Sequence, residues 1–138
     1  MLRLSKLTDY STVIMSYMAK KPEDIYSAAQ MASALGIGAP STSKILKKLV
    51  RHGLVQSLRG VKGGYLLARP PQQISIAEVI DAMEGPLGVT ECSIEVGLCA
   101  QEANCTISHS WRHLNQVIRQ SLDQVSLADM NHSSARRK

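Results

Sequence analysis

The fold is decided by residues 27–68, SAAQMASALGIGAPSTSKILKKLVRHGLVQSLRGVKGGYLLA. This stretch contains two helical patterns followed by two short apolar runs. Ser27 and Gln30 have the spacing of a capping box, which indicates that a helix begins just after Ser27. Gly36 suits the left-handed conformation at the end of that helix, and Pro40 suits the first turn of a second helix. Two short helices joined by a glycine-containing turn predict a helix-turn-helix.

The second helix is predicted to have one apolar and one basic face. Its apolar residues recur with helical spacing and are expected to be buried: Ile45, Leu46, Leu49 and Val50. The outer face is expected to carry Ser43, Lys44, Lys47, Lys48 and Arg51. The second helix of a helix-turn-helix lies in the major groove of DNA. We therefore expect Ser43 and Lys44 to enter that groove, and Lys47 and Lys48 to contact phosphates.

The two apolar runs predict a β-hairpin directly after this helix. Residues 54–58 and 65–68 read as strands, and the glycine-rich residues 59–64 read as the loop between them. A hairpin in this position is the wing of a winged helix. Its loop carries Arg59 and Lys62, and the negative potential of a minor groove would favour the guanidinium of Arg59.

Charge is strongly segregated along the chain. Residues 25–77 contain no acidic residue, whereas residues 41–70 carry seven lysines and arginines. Residues 71–110 then carry six acidic residues and neither lysine nor arginine. The basic block is typical of a protein that binds a phosphate backbone, and a solvated basic face is the alternative. The pattern therefore predicts double-stranded DNA as a partner.

Helical patterns flank the predicted winged helix on both sides. The first runs from about Ser5 to Met18, and a capping box of Ser75 and Glu78 begins a linking helix that Gly85 ends. A last helix carries an apolar stripe: Trp111, Leu114, Val117, Ile118, Leu122 and Val125. One small domain hardly needs this stripe for its own core. The stripe therefore predicts a dimerisation helix, with ordinary core packing as the alternative.

Together these patterns predict a mainly α-helical fold with one small β-hairpin. We expect residues 1–70 to form the winged helix-turn-helix and residues 71–130 to contain the linking helix, a cysteine loop at 87–109 and the dimerisation helix. Residues 131–138 are polar and basic, which predicts a disordered tail. Because no apolar run approaches the ~20 residues that cross a bilayer, and the beginning lacks a signal-peptide pattern, we expect a cytoplasmic protein.

All three cysteines, Cys92, Cys99 and Cys105, lie within a stretch of fourteen residues. An odd number of cysteines argues against a disulfide framework and favours metal or redox chemistry. Thiolates are soft ligands that suit iron–sulfur clusters, zinc or copper(I). The wide spacing without a C-x-x-C pair favours an iron–sulfur cluster that needs one further ligand.

Two other interpretations of the cysteines remain. With His109 they match a three-cysteine-one-histidine zinc site, although the lack of aromatic or basic residues between Cys92 and His109 disfavours an RNA-binding zinc finger. The second interpretation is a thiol redox enzyme. It is poorly supported, since there is no C-x-x-C, no Rossmann glycine pattern and no paired carboxylates. We therefore expect neither an enzyme nor a small-molecule substrate.

Several motifs resemble one known family over nearly the whole length of the chain. They are LTDYS at 7–11, HGLVQSLRGVKGGYLLARP at 52–70, ISIAEVIDAMEG at 74–85, the three cysteines, and W-R-x-L at 111–114. The chain resembles the bacterial iron–sulfur winged-helix repressors that include IscR, NsrR and RirA. The stretches EGPLGVTEC and VSLADM are most similar to the branch that regulates the SUF system of iron–sulfur cluster assembly.

The resemblance implies a homodimer that binds a palindromic operator, with crossed long helices and each cluster near the partner's first helix. In the cluster-assembly regulator the fourth ligand is a histidine three positions after the third cysteine, where this chain has Ser108 followed by His109. In the nitric-oxide sensor it is an aspartate of the L-T-D-Y stretch of the opposite subunit, which corresponds to Asp9. We favour Asp9 of the partner subunit, then His109, then Glu91. Within the family, histidine ligation accompanies [2Fe–2S] clusters and aspartate ligation [4Fe–4S] clusters.

Overall fold

A computed structural model describes residues 3–136, with side chains up to Asn131. Over this range the chain forms seven α-helices and one antiparallel hairpin, which confirms the predicted mainly helical class. The elements are α1 (Lys6–Ala19), α2 (Ala28–Leu35), α3 (Ala39–Arg51), β1 (Val55–Leu58), β2 (Gly64–Leu67), α4 (Ile76–Glu84), α5 (Glu91–Ile94), α6 (Ser108–Asp123) and α7 (Leu127–Arg136). Single 3-10 turns lie at Pro71–Gln73 and Glu102–Asn104.

Helices α2 and α3 pack against each other as a helix-turn-helix. The Ser27 hydroxyl accepts the Gln30 backbone N–H at 3.0 Å, and Gly36 ends α2 with φ +68°. Helices α1, α2 and α3 contribute to the core seven apolar side chains without exposed surface: Ile14, Met15, Met18, Met31, Ile45, Leu46 and Leu49. Because these side chains occupy the inner face of α3, its basic face points outward.

The hairpin is joined to the residue preceding the helix-turn-helix by an isolated antiparallel β-bridge between Tyr26 and Tyr65. β1 and β2 are antiparallel, with Val55 opposite Leu67. Tyr26 and Tyr65 exchange two backbone hydrogen bonds of 2.8 and 2.7 Å. A Cβ atom on Gly64 would lie 2.6 Å from the Tyr26 carbonyl oxygen, so this close approach requires glycine. The wing is therefore held in a fixed position beside α3.

Helix α4 begins with the predicted capping box. The Ser75 hydroxyl accepts the Glu78 N–H at 3.2 Å, while the Glu78 carboxylate accepts the Ser75 N–H at 2.9 Å. The same carboxylate pairs with the Arg69 guanidinium at 2.7 Å. Burial alone would raise the pKa of the Glu78 carboxyl, but the hydrogen bonds from Ser75 and Arg69 outweigh it and keep that pKa below its usual value. This pair joins the end of the wing to α4.

Stability should depend on pH through this carboxylate. The pKa of the Glu78 carboxyl is lower in the folded state than in the unfolded state. Its contacts therefore stabilise the fold at pH values above the unfolded-state pKa of about 4.3, and this stabilisation is lost as the pH falls through the folded-state pKa. Arg69 and Glu78 are 38% and 37% exposed, so the contribution is about 0.5 kcal/mol. We expect Glu78→Gln to lower the free energy of urea unfolding by that amount at pH 7 and by less at pH 3. Glu23→Gln, at an exposed position, is the control; an equal loss at both pH values would contradict the assignment.

The cysteine region contains more regular structure than expected. Residues 87–109 were predicted to be a loop, whereas the structure contains α5, a 3-10 turn and the start of α6 within this range. α5 packs against α6. Gly88 allows this arrangement, because a Cβ atom there would lie 2.0 Å from the Ile94 Cγ1 atom.

The end of the chain also differs from expectation. α6 ends at Asp123, before Val125, because the Val125 carbonyl accepts the Ile76 N–H at 2.9 Å and Leu127 donates to Ile74 at 2.8 Å. α7 then begins with fully buried Leu127 and continues to Arg136, where the sequence predicted a disordered tail from residue 131. Residues 137 and 138 of that tail lie outside the described residues. No helix within 3–136 is long and apolar enough to cross a membrane.

Candidate DNA-binding surface and cysteine segment

The outer face of α3 forms a shallow basic groove. Lys44 and Lys47 are exposed, whereas Ser43 and Lys48 are half-buried. Together with Pro40 and Arg51 these four residues line the groove. The sequence-predicted residues of this helix are therefore brought to one surface.

Lys48 differs from its neighbours in its contacts. Its Nζ atom donates to the Met83 carbonyl at 3.4 Å, in the last turn of α4. The negative end of the helix dipole favours a cation at this position. Lys48 thus lies on the side of α3 that packs against α4, while Lys44 and Lys47 remain free to meet a partner.

The wing carries the other predicted cations at its tip. Arg59 and Lys62 are exposed, and the Val61 side chain between them is completely exposed. Gly60 has φ +104°, and a Cβ atom on Gly63 would lie 2.3 Å from the Leu58 carbonyl oxygen. The tight turn therefore depends on glycines and presents both cations away from the core.

The three cysteines are free thiols on different parts of the segment that follows α4. Cys92 is buried on α5, with its Sγ atom 3.2 Å from the Thr90 hydroxyl. Cys99 and Cys105 are half-buried and flank the second 3-10 turn. Within the part of the chain that the structure describes, no three Cys, His, Asp or Glu side chains are close enough together to bind a metal ion.

The chemistry of the available donors nevertheless fits an iron–sulfur cluster. Three free thiols lie on one short segment, and cysteine thiolates are the usual ligands of iron–sulfur clusters. His109 is exposed in the first turn of α6, and Asp9 is exposed on α1. Because α6 begins at Ser108, the side chains of Ser108 and His109 leave the helix about 100° apart. His109 therefore does not occupy the direction that a ligand at 108 would have.

Sequence reasoning missed the polar residues of α6 that fix the cysteine segment. Arg112 Nε donates to the Cys92 carbonyl at 3.2 Å, and the guanidinium forms an ion pair with Glu102. Asn115 accepts the Val89 N–H at 3.0 Å and donates to the Leu87 carbonyl at 3.1 Å. The spacing of Arg112 and Asn115 places them on one helix face, but nothing local identifies their partners. Arg112 and Asn115 on this face of α6 therefore hold the cysteine segment, residues 87–105, against the helix.

Another face of α6 is apolar and uncovered. Trp111, Leu114 and Val117 are 37%, 44% and 44% exposed, and none of the residues of α6 is buried. Ile118 and Leu122 line a neighbouring apolar groove, which extends towards Leu4 and Ile94. The core of this chain therefore does not bury the apolar stripe of α6.

Comparison of the sequence with known proteins identifies a family model and several relatives. A family model described as "Rrf2: Iron-dependent Transcriptional regulator" matches residues 4–133. Two predicted HTH-type transcriptional regulators of Neisseria meningitidis are each 42% identical over 84 residues, which is 61% of this chain and 56% of each relative. A third predicted regulator, from Azotobacter vinelandii, is 36% identical over 104 residues, or 75% of this chain and 63% of that protein. The chain thus matches little more than half the length of these relatives.

Solved structures resemble the fold over almost all of the chain. IscR of T. potens superimposes with a TM-score of 0.70 and 28% identity, covering 96% of this chain and 88% of that protein. CymR, the global cysteine regulator of B. subtilis, gives a TM-score of 0.73 and 25% identity, covering 96% and 98%.

Proposed function

The chain belongs to the Rrf2 family of transcriptional regulators, and we propose that it is a homodimeric repressor whose operator binding is controlled by an iron–sulfur cluster. A DNA-binding regulator, and not an enzyme, is what the family and the similar proteins support. The cluster, the dimer and the target genes are the proposed part. The observation that carries the proposal is a segment of three free thiols fastened to α6 and connected through α4 to the basic helix α3.

The proposed contacts with DNA follow the exposure of the basic residues. Ser43 and Lys44 enter the major groove, Lys47 binds a phosphate, and the wing tip brings Arg59 and Lys62 to the adjacent minor groove. Lys48 can reach a phosphate only by leaving the Met83 carbonyl. Two such surfaces related by a dimer axis would read a palindromic operator with half-sites about 34 Å apart.

Removing single cations from α3 should have unequal effects on operator binding. Lys47→Ala is expected to weaken binding and to reduce the salt slope of log K by about one, whereas Lys44→Ala should weaken binding and relax base specificity. Lys48→Ala should change the slope by less, because its ammonium is engaged with Met83. Fluorescence anisotropy over a salt series measures this, with Lys20→Ala, at the exposed position just after α1, as the control. An equal slope change for Lys48→Ala and Lys47→Ala would contradict the placement.

Cys92, Cys99 and Cys105 are the proposed cluster ligands, completed by Asp9 of the partner subunit, with His109 and then Glu91 as alternatives. When bound, the cluster would supply an iron centre that responds to iron supply, oxygen or nitric oxide. Aspartate ligation favours a four-iron cluster and histidine ligation a two-iron cluster, by analogy with the family. The resemblance to the SUF branch suggests operators of iron–sulfur assembly genes.

Contacts of α4 provide a physical path between the cysteine segment and the DNA-binding surface. Glu84 accepts the Ser5 N–H at 2.9 Å at the start of α1, and Asp81 pairs with Arg119 of α6 at 2.6 Å. Lys48 joins α3 to the same end of α4. A change in the segment that follows Gly85 would therefore act on α1 and α3 together.

Anaerobic purification tests the proposal directly. Absorbance, iron, sulfide and zinc should be measured on the same sample, followed by operator binding with and without the cluster. A coloured protein with iron and sulfide, and with an operator affinity that changes on cluster loss, is expected. A colourless protein that contains one zinc and no iron after anaerobic reconstitution would instead favour a structural zinc site of Cys92, Cys99, Cys105 and His109.

A further inference from the structure

The geometry points to Arg112 and Glu102 as a positioning pair that holds all three cysteines in one arrangement before any metal is bound. Neither residue is a candidate ligand. Arg112 lies on α6 and Glu102 lies in the 3-10 turn between the second and third cysteines. Their ion pair is the point at which the segment is joined to the helix.

Arg112 fixes the first cysteine. Its Nε atom donates to the backbone carbonyl of Cys92 at 3.2 Å, while the other side of the same guanidinium pairs with Glu102. A guanidinium is planar and presents several N–H groups in fixed directions, so one side chain can bind both acceptors. Lysine could provide the charge but not this two-sided contact.

Glu102 lies between the second and third cysteines and is hydrogen-bonded to both through its backbone. Its backbone N–H donates to the Cys99 carbonyl at 3.2 Å, and its own carbonyl accepts the Cys105 N–H at 3.3 Å. Its carboxylate also accepts the Gly97 N–H at 2.5 Å, where the chain turns with φ +88°. Each cysteine is thus one or two hydrogen bonds from the Arg112–Glu102 ion pair.

This pair matters because the Asn115 contacts reach only Leu87 and Val89, ahead of the three cysteines, so the Arg112–Glu102 ion pair is what joins the later part of the segment to α6. Ile94, Val96 and Leu98 are 47%, 80% and 49% exposed, so apolar packing contributes little there. Most surface ion pairs are weak, but the Glu102 side chain is only 14% exposed; one of its oxygens is paired with the Arg112 guanidinium and the other accepts the Gly97 N–H. An ordered segment loses less conformational entropy when it binds a ligand.

The metal-free protein provides the first test. The rate at which iodoacetamide labels each cysteine is measured by mass spectrometry. Three proteins are compared: the original chain, Arg112→Gln and Glu102→Gln. We expect labelling of all three cysteines to become about tenfold faster in both variants, because the segment opens more often. Arg119→Gln is the control. It removes a similar ion pair, between Arg119 and Asp81, two turns further along α6, and should leave the labelling rates unchanged.

A charge exchange separates positioning from a general loss of stability. The double variant Arg112→Glu with Glu102→Arg should restore part of the protection, whereas Arg112→Lys should restore little because it lacks the two-sided contact. Circular dichroism checks that each variant is folded. Unchanged labelling in both Arg112→Gln and Glu102→Gln, or equal acceleration in Arg119→Gln, would overturn the inference.

The second test rests on the proposed cluster. In anaerobically loaded protein, Arg112→Gln should release iron to EDTA about tenfold faster than the original chain, with Arg119→Gln again unchanged. If no variant takes up iron, the proposed function fails while the labelling result still decides the role of the pair. If iron is bound and its release is unaffected by Arg112→Gln, the positioning role fails on its own.

Discussion

Leu114→Glu is expected to convert the proposed dimer into a monomer and to lower operator affinity by roughly 100-fold or more. Leu114 lies at the middle of the apolar stripe of α6, between Trp111 and Val117, and 44% of it is exposed in the single chain. A second copy would bury this stripe, and a carboxylate there would lose its hydration without gaining a partner. Operator binding falls because one subunit can occupy one half-site only.

Sedimentation velocity and operator titration measure the two effects on the same samples. Gln120→Glu is the matched control, since it adds the same charge to an exposed position about 120° around α6 from Leu114. We expect this control to remain dimeric and to bind operator within about twofold of the original chain. A Leu114→Glu variant that stays dimeric would show that α6 does not form the interface.

The elements that the sequence predicted well are those whose ends are determined locally. Ser27 and Ser75 cap α2 and α4 through residues three positions away, and Gly36 ends α2 within one turn. Such contacts depend on residue types at fixed short spacings, so the sequence contains them directly. The helix-turn-helix and the wing were therefore predictable to within one or two residues.

The end of α6 shows why other boundaries were not predictable. Val125 continues the apolar period of the helix, yet its carbonyl accepts the N–H of Ile76, far away in the chain. Arg112 similarly looks like an ordinary surface arginine until α5 and the 3-10 turn are folded beside it. Both features arise from distant partners, and helical periodicity carries no information about them.

The proposed fourth ligand can be tested by mixing two defective subunits, because Asp9 and the cysteines would then come from different chains. Asp9 is exposed on α1, which packs against α4 and α7, whereas the cysteine segment packs against α6. Asp9→Ala homodimers and homodimers that lack all three cysteines should each be unable to hold a stable cluster. A heterodimer of the two has one complete site, formed by the cysteines of one subunit and Asp9 of the other.

Differently tagged subunits allow this heterodimer to be purified and its iron and sulfide to be measured after anaerobic reconstitution. We expect one cluster per heterodimer, two per original dimer and none in either defective homodimer. Replacing Asp9→Ala by His109→Ala gives the matched comparison, since its homodimer should keep both clusters. A cluster-free heterodimer would mean that Asp9 acts within its own subunit, and a fully loaded Asp9→Ala homodimer would remove Asp9 as a ligand. The result matters for signalling, because a ligand carried by α1 of the partner would make loss of the cluster alter the dimer interface and the helix beside α3 in one step.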